Sequence, residues 1–216
     1  DFNKDENGKY VLIGPSQNKV TTTASTWYPG DVRYADLNND NEISTGDNTL
    51  ENPGDRKIIG NSTPRFQYGI TGNISWKNFD LNIFFQGIGH IDWYPGREAQ
   101  AFWGYYNRPY GTFIPKDFQK LCWSEDNPNA YFPRPRTAVA LTENSELSTV
   151  NDRYLQNIGY CRLKNLTIGY SLPKSWIRKC YMQNVRIYVT GYNLFCLTNY
   201  SGTDPEVDTS SKRNPM

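Results

Sequence analysis

The chain has 216 residues, with 23 Lys plus Arg against 22 Asp plus Glu and a formal net charge of +1, a balance that gives no electrostatic footprint for nucleic acid or for an anionic membrane surface. Only 37% of the residues are hydrophobic while 15% are aromatic, unlike an ordinary soluble enzyme domain. No apolar run approaches the roughly 18 residues of a transmembrane helix, but a barrel strand needs only about 9 to 11 alternating residues, so a membrane setting is not excluded.

The sequence starts at Asp1 with no initiator Met, charged n-region or apolar h-region, so an export signal is expected upstream. Residues 1–65 are rich in Asn, Asp, Thr, Gly and Pro and read as loop, with one short strand candidate at Tyr10–Ile13. Within this region Asp36, Asn38, Asp40, Glu42, Ser44 and Asp47 fall at positions 1, 3, 5, 7, 9 and 12 of a calcium-type loop, with apolar Ile43 at position 8. Ca²⁺ wants six to eight oxygens, and alternate residues of a tight turn deliver them from one side. Asn41 stands where Gly is usual, a place Asn tolerates because it visits the left-handed region. Asp47 is a shorter ligand than the usual Glu. The same residues also suit a metal-free turn in which Asx side chains accept backbone amides. Asp1, Asn3, Asp5 and Gly8 form a superficially similar pattern without a twelfth-position carboxylate, and read as loop.

From Phe66 to Trp76 alternation is strict, with Phe66, Tyr68, Ile70, Gly72, Ile74 and Trp76 on one side, and it resumes at Phe79 with Leu81, Ile83 and Phe85. Only Lys77 and Asn78 intervene. A two-residue hairpin therefore sets Trp76 opposite Phe79, Ile74 opposite Leu81 and Ile70 opposite Phe85, giving one wholly apolar face. Trp76 and Phe79 would form an interfacial aromatic girdle at the short-turn end. The long segment that follows holds Trp93, Tyr94, Phe102, Trp103, Tyr105, Tyr106, Tyr110, Phe113, Trp123, Tyr131 and Phe132. Trp93, Trp103, Tyr106 and Trp123 are candidates for stacking on a sugar or peptide, and packing of the loop on itself is the competing reading. His90 has no Cys or second His near it, and no nucleophile-elbow, phosphate-loop or dinucleotide motif occurs. Catalysis is not expected.

A second strand pair is expected over residues 162–172, with Leu166, Ile168, Tyr170 and Leu172 on one face, and 185–195, with a short helical turn between them capped by Ser175. Alternation weakens past Thr190. If Leu172 pairs with Val185, the ladder places Cys161 across from Cys196, a candidate disulfide. The four cysteines form no C-x-x-C. Short connections fall at one end and long ones at the other, as in bacterial outer-membrane barrels.

Several stretches, in order, resemble the SusC/RagA family of TonB-dependent transporters. They are Gly30-Asp31-Val32-Arg33-Tyr34 with Asp36-Leu37-Asn38-Asn39-Asp40, then Ile58-Ile59-Gly60-Asn61 with Pro64, and then Phe79-Asp80-Leu81 with Phe84-Phe85-Gln86-Gly87. Arg162-Leu163-Lys164-Asn165 with Gly169-Tyr170 and Leu172-Pro173 follows, and Asn193-Leu194-Phe195 and Tyr200-Ser201-Gly202 with Asp204-Pro205-Glu206 complete the series. The resemblance implies an all-β chain forming an antiparallel segment of a larger, 22-stranded transmembrane barrel in the outer membrane of a Gram-negative bacterium. It implies a SusD-like surface lipoprotein and the TonB complex as partners, with glycans or peptides as cargo. On this reading 1–65 is extracellular loop with the calcium-type loop at 36–47, 66–88 a barrel hairpin, 89–160 a long extracellular loop, 161–196 a hairpin with a helical periplasmic turn, and 197–216 loop. A plug and a final strand are expected beyond this segment, without which it would not insert or transport. A soluble, secreted β-sandwich binding carbohydrate with Ca²⁺ is the alternative.

Overall fold

The computed structural model describes residues 2–17, 27–107, 114–136, 141, 145–178, 181–200, 202 and 204–206. Tyr110, Phe113, Cys180, Ser201 and the expected loop beyond Glu206 lie outside them. The chain divides into two compact units, one of residues 1–60, 94–155 and 209–216, the other of 61–93 and 156–208.

The second unit is built on a four-stranded antiparallel sheet. Its strands are β3 (Gln67–Trp76), β4 (Phe79–Ile88), β7 (Tyr160–Ser171) and β8 (Arg186–Thr198), in the order β3-β4-β7-β8. The β3–β4 pairing follows the alternation: Trp76 faces Phe79, Ile74 faces Leu81, Ile70 faces Phe85 and Tyr68 faces Gly87. The two-residue loop places Lys77 at φ 55, a positive value such as the first position of a type II′ turn takes to match strand twist.

The apolar face continues across the next two strands. Ile168 lies beside Leu81 and Val189, and Tyr170 beside Phe79 and Ile187. Ring pairs Phe79–Tyr170 (4.6 Å) and Phe85–Phe195 (6.2 Å) lie along it. Among the described residues no element covers this face: Ile74 is 61% exposed and Val189 74%. A β-sandwich would need a second sheet over these residues, and among the described residues there is none. No helix there is long and apolar enough to cross a membrane. The opposite face carries Asn73, Asp80, Asn82, Thr167, Thr190 and Arg186, with Thr167 Oγ1 3.0 Å from Thr190 Oγ1.

The second hairpin corrects one expectation. Near the turn the ladder runs as the Leu172–Val185 pairing requires, with Leu172 N–H donating to Val185 O (2.9 Å) and Ser171 facing Arg186. Irregularities then intervene: Lys164 is extra relative to β4, while Asn193 and Leu194 together oppose Lys164. Asn193 takes φ 50. The shift brings Cys196 opposite Arg162 and Cys161 opposite Leu197. The two sulfurs therefore project from opposite faces, and both cysteines are free. The extra Lys164 also brings Leu163 and Cys161 to the apolar face, beside Phe195 and Leu197. The helical turn between these strands, α2 (Lys174–Ile177), is capped by Pro173 and not by Ser175, which lies inside it. A two-residue pair, β5 (Asp92–Trp93) with β6 (Gln156–Asn157), completes this unit.

The first unit begins with a hairpin, β1 (Phe2–Lys4) and β2 (Tyr10–Leu12), closed by Asp5, whose Oδ1 accepts the N–H groups of Asn7 (2.9 Å) and Lys9 (2.8 Å). Beyond it the unit is mostly irregular, with α1 (Gln100–Trp103) and 3₁₀ turns at Gly104–Tyr106 and Phe118–Leu121. An aromatic core substitutes for regular structure: Phe102, Trp103, Tyr106, Phe118, Phe132 and Tyr154 pack with Val32, Leu141 and Leu147.

Candidate functional site

The first unit holds the site, and the Gly30–Tyr34 motif organises it. Gly30 takes φ 91 with the indole of Trp123 pressed against the place a Cβ would occupy, so the chain needs glycine there. Arg134 N–H donates to Gly30 O (2.7 Å), and its guanidinium stacks 4.7 Å from the Trp123 ring centre. Asp31 accepts Tyr28 N–H (2.8 Å) and a fork of two bonds from Arg136, through Nε (2.9 Å) and Nη2. Tyr34 exchanges two bonds with the buried side chain of Gln17, whose amide stands in for a paired strand, and its hydroxyl donates to Glu146 O (2.5 Å). Burial lifts the Tyr34 hydroxyl to about 12, so it stays a donor at physiological pH.

A cleft of about 790 Å³ opens within this unit, and its walls include Asp31, Tyr34, Arg56, Trp123, Asn151 and Arg153. Arg56 and Arg153 are spent on the frame. Arg56 donates to the carbonyls of Pro53 and Thr45 and to Asn48 Oδ1, Arg153 to the carbonyls of Ala130 and Tyr131. Trp123 is partly exposed and offers the cleft an aromatic surface.

The other aromatic candidates have different surroundings. Trp103 and Tyr106 have no exposed surface, and Trp103 Nε1 donates to Pro95 O (2.8 Å) while the Tyr106 hydroxyl donates to Pro133 O (2.5 Å). A ring without exposed area offers no stacking face, so these two belong to the core and not to ligand contact. Trp93 lies in the other unit, edge-on to Tyr200 at 5.6 Å. The four therefore do not form one platform. His90 pairs with Asp92 (3.1 Å).

In the calcium-type loop Asn39 and Asn41 are left-handed at φ 62 and 65, and Ile43 is buried. Asp36 accepts the N–H groups of Asn39 (2.6 Å) and Asn41 (2.9 Å) through its two oxygens, Asn38 accepts from Asp40 N (3.1 Å), and Asp40 accepts from Glu42 N (2.7 Å). Asp47 points elsewhere, accepting Asn52 Nδ2 (2.8 Å). Asp55, which lies outside the twelve-residue spacing, closes the loop by accepting Leu37 N–H (2.7 Å) and Ser44 N–H (2.8 Å). Among the described residues no three His, Cys, Asp or Glu side chains are grouped to hold a metal ion.

Comparison with known proteins decides the family. The chain is 37% identical over 188 residues, 86% of its length, to TonB-dependent receptor P3 of Formosa agariphila, and 26% identical over 171 residues, 79% of its length, to TonB-dependent receptor SusC of Bacteroides thetaiotaomicron. The RagAB peptide importer in its open-open state superimposes on 70% of the chain with a TM-score of 0.51 at 26% identity, over 16% of that structure's chain. The chain belongs to the SusC/RagA-type TonB-dependent receptors. This SusC/RagA-type segment spans 16% and 15% of the lengths of receptor P3 and SusC. The closed-closed state of RagAB matches 95% of the segment and 18% of its own chain, with a TM-score of 0.52 at 20% identity, a likeness of fold. No family model matches the sequence.

Proposed function

We propose that this segment forms four adjacent strands and part of the outer loops of an outer-membrane transporter in a Gram-negative bacterium, which imports glycans or peptides with a SusD-like surface lipoprotein and draws energy through TonB. The observation that carries the reading is the uncovered apolar face running unbroken over four strands while the other face bears Asp80, Arg186 and a Thr–Asn ladder. Strands of 10 to 13 residues, tilted by about 45°, rise roughly 23 to 30 Å, the thickness of a hydrocarbon layer. Trp76, Phe79 and Tyr170 at the short-turn end suit the membrane interface. The part we assign to it is transport.

Single cysteines in the intact receptor test this. Replacements at Ile74 and Val189 should react only with a lipid-soluble maleimide and those at Asn73 and Thr190 only with a water-soluble one. Equal labelling of both faces would sink the barrel reading.

The cleft beside Trp123 is the proposed contact for cargo, with Trp123 as the stacking surface. For the calcium-type loop, the reading of Asp36, Asn38, Asp40 and the Glu42 carbonyl as Ca²⁺ ligands is supported by the left-handed Asn41 at its sixth position. Asp55, in place of Asp47, is nearest to a closing carboxylate.

A further inference from the structure

Glu146 has no exposed surface, and neither of its carboxylate oxygens has a hydrogen-bond partner. Among the described residues the charges facing it are Arg136, whose Nε lies 3.7 Å from Oε1, and Asp31, equally buried, which holds the same guanidinium through its two bonds. Tyr34, Tyr106 and Tyr154 are the other titratable groups it influences, and burial keeps all three neutral. One guanidinium therefore serves two carboxylates. With both ionised, an uncompensated negative charge would sit in a water-poor pocket, which burial strongly disfavours. Asp31 has the donors. Glu146 has none, and so it is the group that takes up a proton.

The cluster ties together pieces of chain that build the cleft. Asp31 and Tyr34 line it, and the Tyr34 hydroxyl donates to the Glu146 carbonyl and lies 3.4 Å from that of Thr149.

We propose that Glu146, Arg136 and Asp31 form a proton-operated latch in the cleft wall, closed when Glu146 is protonated and loosened when it ionises. Closing takes one proton from solvent. Burial, then the Asp31 charge, push the Glu146 carboxyl up to about 7 against the pull of Arg136. The closed form thus holds a proton that an opened form releases, so closure weakens as pH rises from the ordinary glutamate range to about 7 and is level above it. The latch stands on this cluster alone and does not depend on the transport reading.

Hydrogen–deuterium exchange on the intact receptor tests it, reading the peptides that cover 28–34 and 145–151 and correcting for the intrinsic rate. Opening of the wild type should grow up to about tenfold per pH unit between roughly pH 5 and pH 7 and then flatten. Glu146→Gln should remove that slope, and Asp31→Asn should end it at lower pH. A wild-type profile without the bend, or the same bend in Glu146→Gln, overturns the latch. If Glu146→Gln does not fold, infrared spectroscopy decides: a protonated-carboxyl band at near-neutral pH that Asp31→Asn abolishes supports the latch, and its absence from the wild type refutes it.

Discussion

Asp80 and Arg186 are joined by a two-pronged ion pair, Nε–Oδ1 2.9 Å and Nη2–Oδ2 2.5 Å, although they belong to strands that are not neighbours. The bridge passes over Gly169 of the intervening strand, where a Cβ would collide with both side chains. Both partners are open to solvent, which screens the pair, so the pair itself contributes little. Gly169→Val adds a steric cost of about 1–3 kcal/mol to the loss of the pair. Urea unfolding of the receptor in detergent should rank Gly169→Val as clearly worse than Asp80→Ala or Arg186→Ala, and equal effects would mean that the glycine does not make room for the bridge.

Gly87 provides the same kind of gap on the apolar face. The Tyr68 ring lies against it and donates its hydroxyl to Tyr160 O at 3.3 Å, and the Tyr160 carbonyl also crowds the Cβ position. A backbone atom cannot swing aside, so Gly87→Ala should cost about 1–3 kcal/mol. Tyr68→Phe, which removes only the hydrogen bond, should cost about 1 kcal/mol in the same assay.

Trp103 and Trp123 separate packing from recognition. Trp103→Ala removes a fully buried ring and should cost about 3–5 kcal/mol of stability. Trp123→Ala gives up its stacking with Arg134, about 0.5–1 kcal/mol, and is expected to spare the fold while weakening cargo binding measured by calorimetry. Unchanged affinity would assign Trp123 to packing alone.

The loop at 36–55 should respond to Ca²⁺ and to Asp55 in distinguishable ways. Millimolar Ca²⁺ should raise the melting temperature of the receptor and give a measurable heat of binding that Asp36→Asn together with Asp40→Asn removes. Asp55→Ala leaves two N–H groups without their acceptor and should cost about 1–3 kcal/mol of local stability with or without the ion. No heat of binding would leave the loop as a turn held by its own Asx bonds.

The first hairpin could be read residue by residue from the sequence because strict alternation and a two-residue loop leave one register open. The second was readable only up to Thr190. Its irregularity left a trace in the apolar positions, which run Tyr170, Ile168, Leu166 and then Leu163, Cys161: an even spacing that turns odd at Lys164. Lys164, extra relative to β4, explains the switch, and the further residue that β8 sets against it removes the apparent match of Cys161 with Cys196. The aromatic core had no such trace. Its rings arrive from irregular chain, where no period says which side faces in, so Trp103 and Trp123 looked alike as letters although one is enclosed and the other partly exposed. Glu146 was equally hidden, since its chemistry comes from Arg136 and Asp31, and Asp31 lies far from it in sequence. The Gly30–Tyr34 motif was visible as a pattern, but its use of Gly30 for Trp123, Asp31 for Arg136 and Tyr34 for the Glu146 carbonyl needed the fold.

Among the described residues β3 and β8 each pair on one side only, so their outer rims present rows of unanswered N–H and C=O groups. Such rims are templates, and the first strand to arrive is captured whether or not it is the right one. Biogenesis of the receptor is therefore a question of order and escort: while these rims are bare, a second copy of the same hairpin is as acceptable a neighbour as the proper strand. Their vulnerability ends only when the ring closes.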